Sequence, residues 1–267
     1  KGFLAERELT EARAAVASAL CAEPGEIYFT SGGTEGDNWA VRGAVELGRR
    51  KGKHIITTAI EHSAVLSPIR ELERQGYPVT YLKPDRTGHV SIGELAAALR
   101  PDTVLVSMML VNNELGTVHD VAGAGHPGRG LPCPAAHGRG AGLFEGALHR
   151  GGAGGGPARH QRTQAPCAQG SGSAVCKKGR QAAVRAWRPE YRARMEAVKA
   201  YALEQLSALP GVEVVSPGDA PHICAVSLPG YPSEMLVRAL GDAGVCVSSG
   251  SACHKGKPSH VFSALGL

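Results

Sequence analysis

The residues best suited to bind a ligand or to react lie in short polar segments, and most of these segments directly follow an apolar segment. Gly32, Gly33 and Thr34 come directly after the apolar stretch 26–31. Glycine lets a ligand approach the backbone closely, and the free amides at a helix start favour a phosphate. The same residues also suit a tight strand-to-helix turn capped by Thr34. The local pattern leaves both interpretations open.

Two further polar groups follow apolar stretches in the same way. His62 comes after the stretch 54–58 and could stack on a flat cofactor, carry a proton near neutral pH, or cap a helix. Asn112 and Asn113 follow the most continuous apolar run, 104–110. Ligands bind beyond the carboxyl ends of parallel strands, so these amides are either ligand contacts or Asx-turn residues.

Cys253 lies in a Ser/Gly-rich stretch and is followed by His254, Lys255 and Lys257. Nearby cations lower the pKa of a thiol and a small-residue loop exposes it, which suits a nucleophile; the alternative is a free structural thiol. The other six cysteines show no CxxC or Cys/His spacing, so we predict no metal site and no disulfide framework. A reducing, cytoplasmic location fits this cysteine usage.

The hydrophobic periodicity predicts the elements that position these residues. Over residues 1–122 it predicts helices at 9–20, 34–50, 63–74 and 91–99, and strands at 26–31, 54–58, 79–82 and 104–110. This alternation is typical of an α/β domain with a mainly parallel sheet. After residue 190, helices at 192–209 and 234–243 and strands at 212–215, 223–228 and 245–247 predict a smaller α+β unit. We therefore predict a large domain over 1–190 and a small domain over 191–267.

Composition excludes several classes of protein. The 267 residues are 43% hydrophobic, with no run of about 18 apolar residues and no signal-peptide pattern, so we expect neither a membrane-spanning nor a secreted chain. The net charge of +5 comes from one tract: residues 123–188 hold ten Lys or Arg, a single Glu and 16 of the 36 glycines. Such a tract cannot bury enough apolar surface to order itself, and we predict that it is anomalous.

Four strings resemble the cysteine desulfurases (NifS/IscS-like) of the class V aminotransferase family. They are FTSGGTEGDN at 29–38, HIITTAIEHSAVL at 54–66, VSMMLVNNELGTVHDVA at 106–122 and VSSGSACHKGKPSHVFSALGL at 247–267. The resemblance covers 1–122 and 191–267. It implies the fold of the pyridoxal-phosphate-dependent (PLP-dependent), aspartate-aminotransferase-like transferases, with both domains incomplete and the chain truncated at both ends.

The resemblance also implies the chemistry. Gly33 and Thr34 would hold the phosphate of pyridoxal 5'-phosphate, His62 would stack on its ring, and Asn113 would lie near the ring's O3' side. Cys253 would take sulfur from L-cysteine as a persulfide, with alanine as the other product and the cofactor as electron sink. The implied partners are a sulfur acceptor or iron–sulfur scaffold protein and a second subunit of a homodimer.

The family pattern breaks between residues 122 and 190. The resemblance requires an Asp for the pyridinium nitrogen and a Ser-x-His-Lys whose lysine binds the cofactor covalently. The segment has no Asp, and its only lysines are Lys177 and Lys178. One permitted coding of residues 156–164, read with its first base dropped, gives Asp-Leu-Leu-Ala-Ile-Ser-Ala-His-Lys. We therefore interpret the tract as frameshifted and expect the chain as written to be inactive.

Two other interpretations stay open. The same scaffold could serve a selenocysteine lyase-like enzyme. The tract could also be an Arg/Gly-rich insert that binds nucleic acid, although only Phe144 and Trp187 could stack on bases. Since the rest of the chain is mildly acidic, we expect no nucleic-acid partner.

Overall fold

A computed structural model describes residues 2–19, 23–120, 189–250 and 259–266, with four short strands between them. In the first part, helices and strands alternate along the chain. The elements are α1 (Gly2–Ala19), a 3₁₀ turn (Pro24–Glu26), β1 (Ile27–Phe29), α2 (Gly33–Gly48), β2 (His54–Thr58), α3 (Ser63–Arg74), β3 (Val79–Leu82), α4 (Ile92–Ala98) and β4 (Thr103–Val106).

The central sheet is parallel, in the order β3-β2-β4. Ile55 of β2 pairs with Val79 of β3 and Leu105 of β4. Neighbouring side chains of a strand point to opposite faces. Ile55 accordingly packs in one core cluster beneath α2 and α3, and Ile56 packs in another with Leu95 of α4. The sheet is covered on both faces, as parallel sheets are.

A glycine lets α2 lie close to the sheet. A Cβ atom on Gly48 would stand 2.6 Å from the Cβ of Val104, inside normal contact distance. Because α2 ends here against β4, its first turn lies towards the opposite, carboxyl end of the strand. The helix is thus positioned by packing, with Val41, Ala44 and Val45 in the core.

The remaining elements form smaller units. Four short strands follow β4: β5 (Ala147–Leu148), β6 (His160–Gln161), β7 (Thr163–Ala165) and β8 (Ala174–Cys176), with β8 antiparallel to β1 and β7. The last part comprises α5 (Pro189–Ala208), β9 (Glu213–Ser216), β10 (Ala225–Ser227), α6 (Ser233–Asp242) and α7 (His260–Ala264). Strands β9 and β10 form an antiparallel pair.

The predicted α/β class with a parallel sheet is confirmed, and the predicted strands 54–58 and 79–82 and helix 63–74 match β2, β3 and α3. The strand predicted at 245–247 is wrong, because those residues join no ladder. The strand predicted at 104–110 stops at Val106, and α1 begins at Gly2 instead of at residue 9. Helix α7 was not predicted. The division into domains at residue 190 stays a prediction.

Candidate functional site

The first turn of α2 presents the predicted phosphate-binding residues. Gly32 is its N-cap, Gly33 is half-buried and Thr34 is exposed. A Cβ on Gly32 would meet no atom within 4 Å, so the space beside this turn is open. The carboxylate of Glu35 accepts hydrogen bonds from the N–H and hydroxyl of Ser31, at 2.6 and 2.7 Å, which fixes the turn that leads into the helix. These hydrogen bonds lower the pKa of Glu35.

His62 is the N-cap of α3. Its Nδ1 accepts a hydrogen bond from the N–H of Ala64 at 3.1 Å. Nδ1 is therefore unprotonated in this arrangement, and a proton of the neutral ring is on Nε2. The capping role left open by the sequence is confirmed, and it holds the half-buried ring in one orientation at the end of the β2 loop.

The two neighbouring asparagines occupy opposite environments. Asn112 is fully buried: its Oδ1 accepts from the N–H groups of Glu114 and Leu115, both at 2.9 Å, and its Nδ2 donates to the carbonyl of Ile60 at 3.1 Å. Asn113 is exposed. The Asx-turn interpretation thus holds for Asn112, and Asn113 is the amide left accessible to a ligand.

Glu61 joins the loops that follow β2 and β4. It is fully buried, and its Oε1 accepts from the N–H of Met109 at 2.6 Å. Asp37 of α2, 1% exposed, lies close enough to act electrostatically on it. Burial, with the Asp37 charge adding to it, raises the pKa of Glu61 to about 8. Three separate elements therefore meet at one side chain beside His62.

Helix α7 closes this cluster from the C-terminal part of the chain. The Ser259 hydroxyl donates to Oε2 of Glu114 at 2.5 Å and accepts from the N–H of Val261 at 3.1 Å. Nε2 of His260 lies 2.8 Å from the main-chain oxygen of Glu61. Beneath these polar contacts, Val261 packs on Ile60 and Leu115. The C-terminal helix is thus held against both loops.

Four of the five predicted site residues lie in the described part of the chain, next to the residues of the Glu61 cluster. Gly33 and Thr34 lie on the helix of Asp37, His62 is bonded in sequence to Glu61, and Asn113 follows Asn112. The fifth, Cys253, lies outside the described residues. Glu114 stands close to one residue on each side of the stretch 251–258: it binds Ser259, and a Cβ on Gly250 would lie 3.9 Å from its Oε2.

The part of the chain that the structure describes contains Lys51, Lys53, Lys83 and Lys199. Lys51 and Lys53 precede β2, at the amino edge of the sheet. Nζ of Lys199 donates to the carbonyls of Gly218 and Ala220, at 2.8 and 2.7 Å. Lys83 follows β3 and is exposed. None of them contacts Glu61, His62 or Asn112 through a described hydrogen bond.

The sheet with its loops gathered at one carboxyl edge defines an α/β fold of the kind seen in solved cysteine desulfurases. A family model described as aminotransferase class-V matches residues 2–129 and 187–266. The chain therefore belongs to the class-V aminotransferase family. Relatives that are 54% identical over part of the chain confirm the resemblance to cysteine desulfurases found in the sequence.

Curated relatives match part of the chain closely. A cysteine desulfurase IscS of Acinetobacter baumannii is 54% identical over 125 residues, which are 46% of this chain and 31% of the relative. A cysteine desulfurase IscS of Escherichia coli is 52% identical over 124 residues, with the same shares. The chain thus matches about a third of the length of these relatives.

Solved structures match the whole chain at lower identity. DndA from Streptomyces lividans has a TM-score of 0.71 at 26% identity, covering 100% of this chain and 86% of DndA. The cysteine desulfurase CsdA from Escherichia coli has a TM-score of 0.70 at 18% identity, covering 99% of this chain and 78% of CsdA. The latter likeness shows the fold alone.

Sequence reasoning missed three residues that build this site. Glu61 and Asp37 stand in polar stretches that look solvent-exposed locally, and nothing in their neighbours indicates burial. Ser259 had a usable signal, because a serine followed by His260, Val261 and Phe262 is typical of a helix N-cap. As for the membrane, no described helix is long and apolar enough to span one.

Proposed function

We propose that this chain derives from the PLP-dependent cysteine desulfurases and retains the face that binds the cofactor. In that family role, Cys253 accepts sulfur from L-cysteine as a persulfide, alanine is the other product, and an acceptor or iron–sulfur scaffold protein takes the sulfur onward. We propose the cytoplasm as its location and a homodimer as its assembly. The carrying observation is the convergence on Glu61 of α2, the His62 loop and the loop before Asn113.

The residues present fit the phosphate and ring of the cofactor. The first amides of α2 and the exposed Thr34 hydroxyl offer donors beside open space, and a helix N-terminus favours an anion. His62 would lie against the ring, since its cap fixes the imidazole at the same edge of the sheet. Asn113 would offer its amide to the ring oxygen. When bound, the cofactor supplies an electron sink for the substrate.

The covalent contact does not fit. No described lysine forms a described hydrogen bond with the cluster. In the sequence, the stretch that should supply the lysine and the pyridinium Asp contains no Asp, and its lysines are Lys177 and Lys178. We therefore propose that the chain as written binds the cofactor without a lysine bond and does not turn over L-cysteine.

Equilibrium dialysis of the purified chain with PLP tests the binding half. Thr34→Val removes one hydroxyl donor to a charged phosphate, so affinity should fall about tenfold or more, from about 1.5 kcal/mol or more per such bond. Thr10→Val, which also removes a helical hydroxyl but in α1, should leave affinity unchanged. Equal affinities for the two variants, or no binding by the unaltered chain, would contradict the proposal.

An alanine-release assay with L-cysteine tests the catalytic half. We expect no alanine above the rate of free PLP, with or without added cofactor. Cofactor-dependent turnover that is lost in Cys253→Ser would show instead that the chain is a working desulfurase.

A further inference from the structure

Glu61 is the most deeply enclosed acid beside the candidate site. It is fully buried, and only Oε1 has a well-formed hydrogen bond in the part of the chain that the structure describes, from the N–H of Met109 at 2.6 Å. The Thr58 hydroxyl and the His62 N–H also lower the pKa of this carboxyl group, but together with Met109 they do not offset the loss of hydration on full burial.

A second acid makes ionisation of Glu61 still less favourable. Asp37 of α2 is 1% exposed, and its charge acts on Glu61 and repels a charge there. Two carboxylates that share a buried site cannot both be charged cheaply, so one of them keeps a proton.

We propose that Glu61 is a positioning residue that stays protonated at neutral pH and, as a neutral acid, lets α2 and the His62 loop lie against each other. Its importance for the cofactor rests on the proposed function, since Asp37 shares a helix with Thr34, and Glu61 adjoins His62. The protonation of Glu61 does not depend on the proposed function, because it is inferred from the burial of Glu61 and from the charge of Asp37.

The groups that face Glu61 come from every element packed around it. Asp37 approaches from α2, and the N–H of Met109 from the loop after β4. Nε2 of His260 in α7 lies 2.8 Å from the main-chain oxygen of Glu61. His62, next in the chain, directs Nδ1 to its own helix. Burial therefore dominates, and the pKa of Glu61 is raised from 4.5 to about 8.

The sign of the pH dependence follows from this shift. Between pH 4.5 and about 8 the folded chain holds a proton on Glu61 that the unfolded chain has released. The contribution of Glu61 to stability therefore falls as pH rises through this window, by about tenfold in the folding equilibrium per pH unit, and levels off above it.

Urea unfolding of the unaltered chain and of Glu61→Gln, without cofactor, tests the proposal. Glutamine keeps the oxygen that accepts from Met109 and cannot ionise. From about pH 5.5 to about pH 7.5 the folding constant of the unaltered chain should fall about 70-fold relative to Glu61→Gln. The exposed Glu8→Gln should follow the unaltered chain. Parallel curves for the unaltered chain and Glu61→Gln would overturn the proposal.

Asp37→Asn is the second variant, which keeps the test decisive if Glu61→Gln does not fold. Removing the neighbouring charge lowers the pKa of Glu61, so the falling part of the curve should end at a lower pH than in the unaltered chain. An unchanged end point would overturn the coupling between the two acids.

PLP affinity at pH 7 and pH 9 separates this inference from the proposed function. At pH 9 Glu61 has lost its proton in the unaltered chain, so the unaltered chain should lose affinity for PLP relative to Glu61→Gln. The titration of the cofactor itself affects both proteins equally and cancels in this comparison. If neither protein binds PLP at either pH, the proposed function fails. The unfolding curves still decide whether Glu61 is protonated at neutral pH. If both bind with the same pH dependence, the positioning role is refuted.

Discussion

Replacing Asn112 with alanine separates the two adjacent asparagines by role. Asn112 has no exposed surface and Asn113 is exposed, although the sequence presents them as equivalent amides. We expect Asn112→Ala to destabilise the fold strongly and Asn113→Ala to leave stability within about 0.5 kcal/mol, as exposed substitutions do.

The magnitude follows from the groups that Asn112 satisfies. Alanine would leave three buried backbone groups without their partner: the N–H groups of Glu114 and Leu115 and the carbonyl of Ile60. Each such loss costs about 1 kcal/mol or more, so the free energy of unfolding should fall by about 3 kcal/mol. The loop before Asn113 would also lose one of its links to the loop before His62, while the hydrogen bond from Met109 to Glu61 stays.

Urea unfolding followed by far-ultraviolet circular dichroism measures both variants, and dialysis against PLP measures the site. Asn113→Ala should bind the cofactor more weakly than the unaltered chain while unfolding at the same urea concentration. Similar losses of stability in the two variants would refute the assignment of Asn112 as the structural amide and Asn113 as the ligand-facing one.

Three further substitutions test how the loops are held, each by the same unfolding measurement. Gly116→Ala should cost about 2 kcal/mol, because φ is 76° and the new Cβ would stand 2.9 Å from the Cβ of Ile223; an unchanged midpoint would contradict this. Gly93→Ala, in the first turn of α4, places a Cβ 3.5 Å from Oγ of Ser91, an ordinary contact, so it should stabilise by up to about 1 kcal/mol; a loss would count against the packing described. Ser259→Ala removes both a helix cap and the partner of buried Glu114, so we expect a loss of about 2–3 kcal/mol, whereas a loss below about 0.5 kcal/mol would show that α7 is held otherwise.

The sequence predicted correctly those helices and strands whose formation depends on the pattern of apolar residues within the element itself. The apolar spacing of 63–74 and the run 54–58 depend on which face of each element is buried, and that periodicity is written in consecutive residues. The strand predicted at 245–247 failed for the opposite reason. A strand needs a neighbour to complete its ladder, and whether Val245 finds one depends on residues far away in the chain.

The site was predictable in position more than in detail. Thr34, His62 and Asn113 could be named because each follows a strand, and the carboxyl ends of parallel strands meet at one edge. The burial of the Asn112 side chain and the protonation of Glu61 could not be predicted from the sequence. Both depend on burial by α2, the β4 loop and α7 together, and no short window of sequence contains that arrangement.

Borohydride reduction followed by intact-mass spectrometry tests the central claim most directly. The chain is incubated with PLP until dialysis shows binding, reduced, unfolded and weighed. Because no described lysine is hydrogen-bonded to the cluster and the sequence lacks the expected lysine motif, we predict the mass of the unmodified chain despite measured binding. A stoichiometric gain of one pyridoxyl group, mapped to a lysine such as Lys83 or Lys177, would contradict the account and show that the chain has kept a covalent cofactor site.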